Sequence, residues 1–120
     1  MTTAPPSGTT TVVLALATPV GALAQPYPSK PVRVIVPYPA GSTPDIIGRT
    51  LAERLQAAFG QAFVVENRSG AGGNIGAEVV AKAADPHVLL VGGNGPVAIN
   101  KHLYKGLAFD PDRDLVPISL

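Results

Sequence analysis

Apolar residues in this chain fall into short unbroken runs and longer stretches with helical spacing, and each run closes in glycine or proline. The runs are Val32-Arg33-Val34-Ile35-Val36, Phe63-Val64-Val65-Glu66 and Val88-Leu89-Leu90-Val91. Each reads as a strand, and each leads into a turn, at residues 37–45, 67–76 and 92–96 respectively. After the first turn, Ser42, Thr43 and Pro44 are cap and first-turn residues, and Asp45 places negative charge at a helix N-terminus. Ile47, Leu51, Leu55, Ala58 and Phe59 recur at helical spacing until Gly60, which predicts a helix with those five residues on its packed face. A shorter helix is predicted after Gly73, with Ile75, Val79 and Ala83 inward, ending near Asp85-Pro86. A third is predicted from near Pro96 through Ala98, Ile99 and Leu103 towards Gly106. Residues 109–114 read as a polar turn that feeds a new strand over 115–120, an apolar edge that leaves the sheet unfinished.

The rhythm of strand, turn and helix predicts an α/β fold on a parallel sheet. In such a sheet the loops after the strands gather at one edge, where helix N-termini aim free N–H groups into a shared crevice. That edge is suited to an anion.

Composition removes several classes. Hydrophobic residues make up 46% of the 120 and charged residues 14%, a globular balance rather than a disordered one. Nine basic and eight acidic residues are scattered along the chain, for a net charge of +1. There is no basic stripe to follow a phosphate backbone, so no nucleic-acid partner is expected. Cysteine is absent, which excludes a disulfide framework, a thiolate metal site and a cysteine nucleophile.

Residues 1–24 read as a signal peptide. Val12-Val13-Leu14-Ala15-Leu16-Ala17 forms an apolar core, and Ala22-Leu23-Ala24 before Gln25 is a small-residue cleavage pattern. The signal is atypical, because residues 1–10 carry no Lys or Arg where a basic n-region belongs. Residues 25–31, with Pro26, Pro28 and Pro31, read as an extended lead-in.

Gly70-Ala71-Gly72-Gly73-Asn74-Ile75-Gly76 invites a nucleotide reading, in which glycines after a strand admit a pyrophosphate to the backbone. The spacing fits that fingerprint poorly. Ile75 stands where the third glycine belongs, Asp85 comes too early for the ribose carboxylate, and no Walker lysine follows a glycine.

A different pattern carries the chain. Tyr27-Pro28-Ser29-Lys30-Pro31, Val34-Ile35-Val36-Pro37-Tyr38-Pro39-Ala40-Gly41 with Asp45, and above all Asn67-Arg68-Ser69-Gly70-Ala71-Gly72-Gly73-Asn74-Ile75-Gly76 closely resemble the tripartite tricarboxylate transporter substrate-binding proteins, the Bug-type extracytoplasmic solute receptors. Val97-Ala98-Ile99-Asn100, Leu103-Tyr104 and Phe109-Asp110-Pro111 agree. The resemblance implies a type II periplasmic-binding-protein fold, of which residues 32–120 would be the N-terminal part of the first lobe, a three-layer partial parallel sheet without the second lobe. It implies a periplasmic location, a small carboxylate or related metabolite as ligand, membrane transporter subunits as partners of the full-length protein, and neither cofactor nor covalent chemistry. Carried over to this sequence, the ligand-binding positions are Tyr38, Ala40, Gly41, Ser42, Thr43 and Asp45, then Asn94, Gly95, Pro96 and Ala98. Ser42 stands where the family usually has a second glycine, and Ala84-Asp85-Pro86-His87 is one residue shorter than the family's turn before the third strand.

Plainer readings stand beside these. Asp45 can simply cap its helix. Asn67, Arg68, Gly70, Gly72, Gly73 and Gly76 read as turn-shaping residues rather than ligand contacts. Asn67-Arg68-Ser69 is formally a glycosylation acceptor. His87 and His102 lack a carboxylate or second histidine at ligand spacing, so neither metal nor catalysis is expected of them. Ser42 has no base nearby in sequence and no nucleophile elbow, so no hydrolase is expected. Two other classes stay open: a nucleotide-binding α/β enzyme domain, and a truncated reading frame without binding of its own.

Overall fold

The computed structural model describes residues 26–119, together with Gly8. The predicted signal peptide and the boundary at Gln25 lie outside the described residues. Three strands form one parallel sheet: β1 (Val32–Val36), β2 (Phe63–Asn67) and β3 (Val88–Leu90), in the order β2-β1-β3. β1 is the central strand because it is apolar on both faces. Val32 pairs with Phe63 and Ile35 with Glu66 on one side, and Arg33 pairs with Val88 and Ile35 with Leu90 on the other.

The first helix, α1 (Thr43–Phe59), begins after Ser42 and ends at Gly60, whose N–H returns to the carbonyl of Gln56. It packs on β1 and β2, over a core of Val32, Val34, Ala52 and Phe63 with Leu55, Val65, Leu89 and Val91 around it. After β2, a short 3₁₀ turn (Ala71–Gly73) leads into α2 (Asn74–Ala83), which packs on β1 and β3. Right-handed crossovers that step from β1 to β2 and then back past β1 to β3 put the two helices on opposite faces. The sheet is thus the middle of three layers. Beyond β3 come a π turn (Gly95–Ile99), α3 (Asn100–Leu103) and α4 (Pro111–Asp114).

The expected helix faces need correction. Within α1, Asp45, Gly48 and Ala52 are buried, whereas Ile47 is 55% and Leu51 43% exposed, and Ala58 and Phe59 also face out. The cause is close approach. A Cβ built on Gly48 would lie 2.8 Å from Val36 Cγ2, so the sheet accepts the small-residue side of a wide apolar arc and the larger residues flank it. In α2 the buried positions are Asn74, Gly76 and Ala77, while Ile75 is 47% exposed. Ile75 leaves the sheet to lie over Gly70, where a Cβ would sit 2.5 Å from its Cδ1.

The predicted strand over 115–120 is also corrected. Among the described residues, 115–119 pair with no strand. The polar turn before them is instead the helix α4, whose cap Asp110 accepts from the N–H of Asp112 at 3.0 Å, with Pro111 in the first turn.

Candidate functional site

The order β2-β1-β3 makes the C-terminal end of β1 a topological switch point. The chain leaves β1 towards β2 on one side, and the loop after β3 lies on the other, so a crevice opens between them. Residues 37–42 form one wall and residues 91–94 the other. They meet at Tyr38: a Cβ built on Gly93 would lie 2.8 Å from the Tyr38 hydroxyl. The turn after β2 stands behind both, since a Cβ on Gly73 would lie 3.1 Å from Pro96 Cγ and 3.6 Å from Pro37 Cβ.

The N-terminus of α1 points into this crevice. Ser42 lies at the cap position without capping; its Oγ donates to the Pro39 carbonyl at 2.7 Å instead. The N–H groups of Thr43 and Asp45 therefore keep the partial positive charge of an uncapped first turn. Ala40, Gly41 and Thr43 are exposed beside it, with Tyr38 and Ser42 half-buried. Across the crevice Asn94 and Ala98 are exposed, Gly95 is half-buried and Pro96 buried. The structure thus brings Tyr38 of the first loop against Gly93 of the third, two loops that are far apart in sequence.

Asp45 differs from these neighbours. It is 2% exposed, and its carboxylate is fully engaged within the protein. Oδ2 accepts from the Gly41 N–H at 2.8 Å and from Arg49 Nε at 3.1 Å. Oδ1 accepts from Asn67 Nδ2 at 2.8 Å, and the same amide donates to the Tyr38 carbonyl at 3.0 Å. Arg49 Nη2 closes the ring on Asn67 Oδ1 at 3.2 Å. The Gly41 N–H, Asn67 and Arg49 together hold the Asp45 carboxyl below the usual carboxylate range. The side-chain amide of Asn67 is committed to this ring, so the glycosylation pattern at 67–69 lacks a free acceptor.

Asn74 and Asn100 are buried polar residues that were not among the expected site residues. Asn100 is 5% exposed, and its Nδ2 donates to the Gly72 carbonyl at 3.0 Å and to Asn74 Oδ1 at 2.7 Å. The only signal in the sequence is an asparagine at the end of the apolar stretch 97–99, where a polar side chain needs a partner if buried.

A second polar cluster lies at the opposite edge of the sheet. His87 Nδ1 is 3.1 Å from Asp85 Oδ1, and Ser29 Oγ is 3.4 Å from His87 Nε2. The Asp85 carboxylate thus stands directly beside the His87 ring. The Ser29 N–H donates to the same Nε2 at 3.2 Å, so the lone pair a general base would need already has a donor. Lys30 Nζ binds Asp85 Oδ2 at 2.9 Å and the Tyr27 hydroxyl donates to the Pro86 carbonyl at 2.7 Å. The cluster is a clasp that fastens the lead-in to the turn before β3. Among the described residues there is no grouping of three His, Cys, Asp or Glu that could hold a metal ion, and no helix long and apolar enough to cross a membrane.

A parallel α/β sheet with a crevice at its switch point and an uncapped helix N-terminus facing it defines part of a periplasmic-binding-protein type of lobe. The chain belongs to the tripartite tricarboxylate transporter family receptors (TctC), whose family model matches residues 47–120. A UPF0065 protein of Bordetella bronchiseptica is 42% identical over 109 residues, which is 90% of this chain and 32% of that protein. An R. palustris protein solved with adipate is 40% identical with a TM-score of 0.68, over 72% of this chain and 29% of that one. MatC from Rhodopseudomonas palustris, solved with bound malate, is 37% identical with a TM-score of 0.68, over 73% and 30%. The chain spans about a third of the length of the relatives it matches.

Proposed function

We propose that the chain forms part of the first ligand-binding lobe of an exported solute receptor that captures a small carboxylate for a membrane transporter. The reading places it in the periplasm, with residues 1–24 as the export signal. It is a binding role without cofactor or covalent step, in keeping with relatives that are receptors. The observation that carries it is the uncapped N-terminus of α1 at the switch point, in a fold whose solved relatives hold adipate and malate.

In this reading the ligand carboxylate meets the first-turn N–H groups at Thr43 and Asp45, with Tyr38, Ala40, Gly41 and Ser42 shaping one wall and Asn94, Gly95, Pro96 and Ala98 the other. The Asp45 side chain works indirectly. Its carboxylate consumes the Gly41 N–H and fixes the loop, which keeps a negative group away from the ligand while the helix N-terminus stays open.

Titration of the 15N-labelled chain with malate and with adipate tests this. Amide shifts are expected to concentrate at residues 40–45 and 93–98 and to saturate in the millimolar range, because a single lobe captures weakly. Glucose at the same concentration is expected to move none of them. Shifts absent at saturating carboxylate, or spread evenly over the sheet, would remove the receptor reading.

A further inference from the structure

The π turn Gly95–Ile99 departs from α-helical winding, and it follows directly on the loop after β3. Its closing bond runs from the Asn100 N–H to the Gly95 carbonyl. In an α-helix, a residue five positions on is turned about 140° away from the first. An i to i+5 turn, with more residues per turn, brings them closer together around the axis. Gly95 and Asn100 are therefore presented to the same neighbour, the carbonyl of Gly72. A Cβ built on Gly95 would lie 3.3 Å from that oxygen and 3.6 Å from Asn100 Oδ1, and Asn100 Nδ2 donates to it at 3.0 Å.

Gly72 has no room for anything larger. A Cβ there would lie 2.9 Å from the Tyr104 hydroxyl and 3.4 Å from Asn100 Nδ2. With normal α-helical winding, the apolar Ile99 side chain would approach the position that Asn100 holds, and both the Gly72 carbonyl and Asn74 Oδ1 would lose their donor. Local winding and residue identity thus serve one contact.

We propose that Asn100 is a positioning residue for ligand capture: aimed by the π turn, it bolts the loop after β3 to the turn after β2 and so fixes the second wall of the crevice. The glycine-rich turn then acts on ligand without touching it, by setting where residues 93–95 stand. This inference rests on the receptor reading for its purpose, but its mechanical part can be read without any ligand.

Hydrogen exchange of Asn100→Ala and of the isosteric Asn100→Asp, the latter at a pH where the carboxyl is ionised, provides that reading, since an ionised Asp keeps the shape and cannot donate to the Gly72 carbonyl. The amide of Gly73, bonded to Gly70 O, and that of residue 100 are expected to exchange at least tenfold faster in both variants. The Arg68 and Val91 amides, bonded to Val36 O and Ile35 O in the sheet, are expected to change less than twofold, because the opening is local. Equal acceleration at all four amides would mean that Asn100 contributes only general stability, and no acceleration would mean that it holds nothing; either overturns the proposal. The same samples are then titrated with malate. The dissociation constant is expected to rise at least fivefold, with shifts at 93–95 reduced and those at 41–43 kept. Local loosening with an unchanged constant would overturn the link to ligand capture. If the wild-type chain gives no malate shifts, the receptor reading fails, and the exchange comparison still decides whether Asn100 fixes the wall.

Discussion

Gly76→Ala is expected to destabilise the fold by roughly 3 kcal/mol or more, a large part of the stability of a small domain. Gly76 is helical, so backbone conformation is not the obstacle. The obstacle is space: a Cβ would lie 2.6 Å from Pro37 Cβ, 2.8 Å from Pro37 Cα and 2.9 Å from the Arg68 carbonyl oxygen. Two of those three atoms are backbone. Neither can move without shifting the first residue after β1 or the connection out of β2, where the Arg68 N–H is bonded to the Val36 carbonyl at 2.9 Å.

Gly48→Ala supplies the control. Its nearest neighbour is a single side-chain atom, Val36 Cγ2 at 2.8 Å, with Val91 next at 3.8 Å. A valine can turn or shift by a few tenths of an ångström, so the cost is expected to be about 1 kcal/mol. Urea denaturation of the two variants and the wild type, followed by circular dichroism, compares them directly. A Gly76→Ala midpoint indistinguishable from that of Gly48→Ala would show that α2 and the first loop can separate freely. In that case the three loops would not form one packed unit.

How the sequence relates to this structure depends on the range of the interaction. The strands, read at 32–36, 63–66 and 88–91, fall within a residue of those observed, and the helix from Thr43 to its stop at Gly60 was legible, because each depends on neighbours within a few positions; the Ser42 side chain, however, does not cap. The side of a helix that meets the sheet was not legible. Periodicity marks Ile47 and Leu51 as part of an apolar arc, but which part of the arc is buried depends on how closely the sheet can approach, and Gly48 and Ala52 allow that approach. The proposed tail strand at 115–120 was apolar enough, yet an apolar run becomes a strand only where an edge receives it.

The candidate site divides in the same way. Its loops could be placed from glycine and proline alone. The ties between them could not, since Asn67 reaches back 22 residues to Asp45 and 29 to Tyr38, and Asn100 reaches 28 to Gly72. Those separations leave no periodic trace. The resemblance to known receptors supplied the candidate ligand-binding residues within those loops, whereas the ties that Asp45 and Asn100 make emerged only from the hydrogen bonds.

Asp45→Asn is expected to lower the melting temperature at pH 7 by roughly 5 °C or more, and the size of that loss is expected to depend on pH. The asparagine amide keeps one acceptor at the Oδ2 position, enough for the Gly41 N–H and Arg49 Nε, but presents an NH₂ group where Asn67 Nδ2 now donates. The Asn67 donor is left facing another donor, and the Tyr38 carbonyl loses a well-placed partner if Asn67 rotates to compensate. The sign with pH follows from the direction of the shift. Donation from Gly41, Asn67 and Arg49 lowers the folded-state pKa of Asp45 below the value of about 3.9 in an unfolded chain. Its stabilising contribution is therefore fully present above about pH 4 and is lost as the pH falls through the folded-state value. Glu66, lowered first by its bond from Arg33, and Asp85, lowered first by the His87 N–H and then by Lys30, act in the same direction. The wild type should thus lose stability steeply in acid. The Asp45→Asn variant, uncharged at that position throughout, should fall less steeply, so that the gap between the two melting curves narrows as the pH falls below about 4. Melting temperatures of both proteins measured from pH 7 to pH 2 decide the matter. A constant gap over that range would mean that the Asp45 carboxylate gains nothing from its ionised form, and that the loop is held by packing alone.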